Sequence, residues 1–121
     1  MQTITLKKHE ERRVLNGHPW IFSNEIEGGL KQITPGEVVE IHDWRGRFVG
    51  RGYANPRSLI AVRILSRDRA TAIDRDFFRQ RLEEALAYRR HVAPDETSYR
   101  LVFGEGDFLP GLIIDRYGDY L

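Results

Sequence analysis

A chain of 121 residues has room for one domain, or for one small domain and part of a second. With 40% apolar and 31% charged residues it reads as a globular protein, and no apolar run approaches the ~20 residues needed to cross a bilayer. The absence of cysteine excludes disulfides, thiolate metal sites and a cysteine nucleophile within these residues, and together with an N-terminus lacking a secretory apolar core it fits a cytoplasmic protein.

Along the chain, Thr3–Lys7 alternates Ile4 and Leu6 with polar neighbours and predicts a short strand. His9–Asn16 predicts a short helix with Arg12 and Arg13 on its polar side and Val14 and Leu15 on its apolar side. Gly17 closes that helix, since glycine enters the left-handed region without steric cost. His18-Pro19 redirects the backbone, and Pro19–Phe22 is expected to form a second helical turn that carries Trp20 and Phe22 inward. After Gly28-Gly29 the sequence turns to β structure. Val38–His42 is a strand, Asp43–Gly46 a hairpin loop, and Arg47–Tyr53 the returning strand, interrupted by Gly50 and Gly52. Ser58–Ser66 is apolar on both faces apart from Arg63, which places it inside a small barrel and asks for a buried carboxylate as partner.

A helix is expected from the N-cap Asp74 to His91, with Ile73 stapled to Phe78 and a stripe of Phe78, Leu82, Ala85 and Leu86. Two strands, Tyr99–Phe103 and Leu109–Ile114, then flank a glycine-rich loop. Asp115–Asp119 reads as a turn, and Tyr120-Leu121 as the opening of another strand. The N-terminal unit, to about Ser66, is expected to be closed. One helix on two strands buries too little to stand alone, so the C-terminal unit is expected to be unfinished.

The net charge of +1 says little, but its distribution is uneven. Arg45, Arg47, Arg51, Arg57, Arg63 and Arg67 fall in a stretch with no acidic residue. Lys7, Lys8 and Lys31 are the only lysines among 19 cationic side chains. An arginine fork grips phosphate and stacks on bases, so the bias fits RNA contact; it fits a GC-rich genome equally. Candidate RNA contacts are Lys8, Arg12 and Arg13 near the first helix, Arg45 and Arg47 at the hairpin, and Arg51, Tyr53 and Arg57 beyond it. An aromatic among arginines can stack an unpaired base while the guanidinium groups hold phosphate. The four histidines lack metal-ligand spacing, and no Ser/His/Asp set is discernible. Phe103–Asp107 superficially resembles a methyl-donor loop, but such a loop must open a helix facing the ligand, and a β-rich run follows here.

The stretches "GHPWIFSNEI", "RGYANPRSLIAVRIL" and above all "YRLVFGEGDFLPGLIIDRYGDYL" resemble the N-terminal part of bacterial S-adenosylmethionine-dependent 23S rRNA large-subunit methyltransferases of the cytosine-C5 type. The resemblance covers essentially the whole chain. It implies a mainly β fold with α (α+β): a PUA-like β pseudo-barrel over residues 1–68 that binds RNA, then the linker helix and first part of a connecting domain over 69–121. A Rossmann-like catalytic domain would follow, making this chain a truncated piece of a longer protein, inactive by itself. The implied partner is 23S rRNA, with no membrane and a homodimer in reserve. S-adenosylmethionine belongs to the parent and no cofactor, metal or catalytic residue to this chain. The rival expectation is an assembly module without RNA contact. A PUA module borrowed from a pseudouridine synthase leaves "GEGDFLPGLIIDRYG" unexplained.

Overall fold

A computed structural model describes residues 1–109 and 111–121. The chain divides into two units, Met1–Ile73 and Asp74–Leu121. The first unit contains β1 (Thr3–Leu6), α1 (Glu11–Leu15), β2 (Trp20–Phe22), a 3₁₀ turn (Ser23–Glu25), β3 (Ile26–Gly28), β4 (Glu37–His42), β5 (Phe48–Ala54) and β6 (Ile60–Ser66). Its six strands form one sheet in the order β2-β6-β5-β4-β1-β3. β1 runs parallel to β4, and every other pairing in the sheet is antiparallel.

Alternation decides which side chains are enclosed. Ile4 and Leu6, Val39 and Ile41 are two apart on their strands and fully buried, and Ile21, Val62 and Val14 of α1 join them. β6 lies between β2 and β5, as its two apolar faces require. Gly52 is needed for a steric reason: a Cβ there would stand 2.1 Å from the Arg63 carbonyl oxygen. The β5–β6 register shifts between Arg51 and Gly52, so the chain bulges where only glycine fits.

Several expectations are corrected. Trp20–Phe22 is a strand, not a helical turn: Ile21 pairs with Val62 and enters the core, while Trp20 and Phe22 stay half-buried. A three-residue apolar run has no period, so pairing with β6 decides its state. Leu15 and Leu59 are exposed; α1 has one turn and buries only Val14. Apart from these corrections, Arg63 lies over the Trp20 ring, 5.5 Å from its centre.

The second unit has α2 (Arg75–Val92), β7 (Ser98–Phe103), a 3₁₀ turn (Gly104–Asp107) and β8 (Ile113–Tyr117), with β7 and β8 antiparallel. The Asp74 side chain accepts a hydrogen bond from the Phe77 amide at 2.9 Å, the expected N-cap. The buried face of α2 is turned from the expected stripe: Phe77 and Ala85 are enclosed, Phe78 is exposed. Arginine stems explain the shift. Arg81 lies 4.5 Å from the Phe77 ring centre, and Arg89, i+4 from Ala85, is only 14% exposed. Ala85, Val102 and Leu109 form a small core with Leu82, Leu101 and Ile114 beside it. The expected strand over Leu109–Ile114 begins instead at Ile113 and runs through the expected turn to Tyr117; Pro110 lies outside the described residues. Tyr120 makes an antiparallel bridge to Tyr117.

Candidate nucleic-acid interface

The tip of the β4–β5 hairpin is organised by Asp43. Its Oδ1 accepts from the amides of Arg45 and Arg47, both at 2.9 Å, and its carbonyl accepts from Gly46 at 3.0 Å. Gly46, at φ 80°, completes the reversal. The Asp43 side chain is spent inward, and Trp44, Arg45 and Arg47 are left on the exposed tip.

A second turn meets this tip. The Glu10 amide donates to the Lys7 carbonyl at 3.1 Å, and His9 holds φ 71°, the left-handed region that costs a β-carbon residue about 1 kcal/mol or more. The turn brings Lys8 Nζ to 5.1 Å from the Trp44 ring centre and the His9 ring edge-on to it at 6.1 Å. The Arg45 guanidinium lies 4.5 Å from the same ring. Arg12 and Arg47 line the shallow depression beside Trp44, a space of about 180 Å³ that Glu11 and Asp43 also border. Four cations stand against two carboxylates, so the tip is net positive. Each exposed cation–π pair is worth about 0.5–1 kcal/mol, enough to pre-position a side chain and too little to fix it.

The structure thus brings together Lys8, Arg12, Arg45 and Arg47 of the expected RNA contacts. The other four lie elsewhere. Arg13 donates to the buried Glu25 carboxylate at 3.0 Å, and that carboxylate also takes the Phe22 amide at 2.9 Å, tying α1 to the Ser23–Glu25 turn. Arg51 donates to the Thr71 carbonyl at 3.0 Å and stands opposite Glu40 in the β4–β5 register. Tyr53 is half-buried in a row with Arg63 and Trp20, which pair across β5, β6 and β2. Arg57 is exposed on the Asn55–Ser58 turn. Sequence reasoning missed the functional promise of Trp44. The signal was the string Asp-Trp-Arg-Gly-Arg, in which turn chemistry asks for the aspartate and glycine but not for a tryptophan.

Glu40 sits under a cluster of donors on β4. Its Oε1 takes His42 Nε2 at 3.1 Å and Arg69 Nη2 at 3.0 Å. The His42 hydrogen bond, then that of Arg69, holds the Glu40 carboxyl below the ordinary glutamate range.

The glycine-rich segment of the second unit opens no long helix. Gly104–Asp107 is a single 3₁₀ turn, and Asp107 is occupied: Oδ2 takes Arg89 Nη2 and the Phe103 amide, both at 2.7 Å, while Oδ1 takes Arg89 Nη1 at 3.2 Å. Among the described residues no group of three or more His, Asp or Glu could hold a metal, and no helix is long and apolar enough to cross a membrane.

Comparison with known proteins adds the following. A family model described as a PUA-like domain matches residues 4–67. The ribosomal RNA large subunit methyltransferase I of Shewanella denitrificans is 43% identical over 123 residues, covering 98% of this chain and 30% of the relative. Its namesake from Klebsiella pneumoniae is 40% identical over 119 residues, covering 97% and 30%. The chain therefore spans about 30% of the length of the curated relatives it matches. Among solved structures, a Streptococcus mutans protein assigned as a SAM-dependent methyltransferase superposes with a TM-score of 0.80 at 20% identity, over 98% of this chain and 31% of the other. At that identity the likeness concerns the fold alone.

Proposed function

Because this chain belongs, through residues 4–67, to the PUA-like domain family, we propose that its first unit docks ribosomal RNA for a methyltransferase of which residues 1–121 are one part. The observation that carries this reading is the convergence of Lys8, Arg12, Arg45 and Arg47 on one exposed hairpin tip. Their contribution is electrostatic: each cation that meets a phosphate releases a condensed counterion. The arginines add planar, bidentate geometry, so the tip positions a folded transcript as well as attracting it.

For the whole protein the proposed reaction is methylation of large-subunit ribosomal RNA, as its relatives are named; the finer proposal, cytosine C5 of 23S rRNA as the target, rests on the sequence resemblance alone. S-adenosylmethionine supplies the methyl group. Methyl transfer to cytosine C5 requires a thiolate that first adds at C6 and makes C5 nucleophilic, and residues 1–121 contain no cysteine, so in this proposal that nucleophile belongs to another part of the protein. In this reading residues 69–121 are the linker helix and opening of a connecting domain.

The assembly reading concerns a different surface. Phe103, Phe108, Ile113 and Tyr117 are exposed large side chains of the second unit and would serve self-association. One comparison separates the two. With a large-subunit rRNA fragment, the double variant Arg45→Glu/Arg47→Glu loses binding, while Arg75→Glu/Arg79→Glu on α2 retains it. Equal binding by both variants and wild type, with the fold intact by circular dichroism, would overturn RNA docking through the hairpin tip.

A further inference from the structure

We infer that Trp44 is a stacking platform for one unpaired base, so that the hairpin tip selects single-stranded or looped RNA over a duplex; the inference rests on the docking reading above. Three observations converge on it. Trp44 keeps 36% of its surface exposed at a hairpin tip, although the turn is already closed by Asp43 and Gly46. Its indole is attended by two exposed cations, Lys8 Nζ at 5.1 Å and the Arg45 guanidinium at 4.5 Å. The turn that supplies Lys8 is held by His9 in a conformation unfavourable for a residue with a side chain, and the same residue places its ring edge-on to the indole.

The physical sequence is an exchange. A base has a larger polarisable face than a guanidinium or an ammonium, and stacking on an aromatic side chain outweighs a solvent-exposed cation–π pair. An incoming base therefore displaces Arg45 or Lys8 from the ring. The released cation is left beside the ring, where the phosphates flanking that base must pass, and Arg47 and Arg12 border the same depression. A paired base keeps its faces inside the helical stack and cannot make the exchange.

The test uses the 121-residue chain with two probes of equal phosphate count, an unpaired RNA oligonucleotide and a blunt RNA duplex. Trp44→Leu is expected to weaken oligonucleotide binding about tenfold, within about 5- to 100-fold, and to leave the salt slope and duplex affinity near wild type. Trp44→Phe recovers most of the loss, which a mere change in hairpin stability would not produce selectively for one probe. In a Trp20→Phe background, where Trp44 is the only indole, its fluorescence is quenched by the oligonucleotide and not by the duplex. Wild-type oligonucleotide affinity in Trp44→Leu, or equal losses for both probes, overturns the stacking platform and leaves RNA docking standing. Failure of the wild-type chain to bind either probe overturns both.

Discussion

Asp43 holds the hairpin tip with one carboxylate oxygen and two backbone amides, and it is only 8% exposed. Replacing it by alanine orphans both amides, and the expected cost is about 1–2 kcal/mol, seen as a lowered thermal midpoint. Asp43→Asn retains the accepting oxygen and should restore most of that loss. A hairpin loop over Asp43–Gly46 was legible in the sequence, but not the inward-turned Asp43 carboxylate that organises it. What the sequence could not reveal was that Lys8 and His9, more than thirty positions earlier, arrive at the same ring; that meeting depends on the parallel pairing of β1 with β4. Glu40 makes a second residue-level prediction. Its carboxyl is held below the ordinary range, so the ion pairs stabilise the fold above the unfolded-state value and are lost as pH falls through the lower folded-state value. Denaturant midpoints measured from neutral pH to below about pH 4 should fall for wild type and fall less for Glu40→Gln. Parallel curves would remove Glu40 from the acid response.

At the level of elements, β4, β5, β6 and α2 were legible because each has either an apolar β-rich run bounded by turn residues or a capped helical period. β2 and β8 were not. Trp20–Phe22 is too short to carry a period, and the polar residues Asp115 and Arg116 inside β8 resemble a turn until Arg100 is seen to donate to Asp115 across the strand pair at 2.8 Å. The phase of α2 was misread for a related reason, since arginine stems cover part of its inner face. Gly52→Ala is the sharpest test of the β5–β6 bulge. A methyl group 2.1 Å from a carbonyl oxygen cannot be relieved by a side-chain rotation, so the backbone must separate, and unfolding at markedly lower temperature is expected. In the second unit Arg89 and Asp107 form a bidentate pair exposed by 14% and 9%. Arg89→Ala strands the carboxylate, with an expected loss of about 3–5 kcal/mol, read as faster proteolysis within residues 74–121. Arg89→Lys should rescue it poorly, because an ammonium cannot reproduce the paired contacts.

Over the whole molecule, uneven charge matters more than its total. A net charge of +1 gives no general attraction for nucleic acid, so affinity must come from a local arrangement. The arginine-rich stretch was visible in the sequence, but not its division of labour. Arg13 and Arg51 bind the fold's own carboxylate and carbonyl, Arg63 lies over an indole, and Lys8, Arg12, Arg45 and Arg47 gather at one tip. The same residue type therefore serves the fold and, in our reading, the ligand. The most direct measurement is the affinity of the 121-residue chain for a large-subunit rRNA hairpin between about 50 and 200 mM salt. With four phosphate contacts the slope of log affinity against log salt should be about −3, and Arg45→Glu/Arg47→Glu should flatten it by about 2. A wild-type slope near zero, or an identical slope in the double variant, would contradict the account.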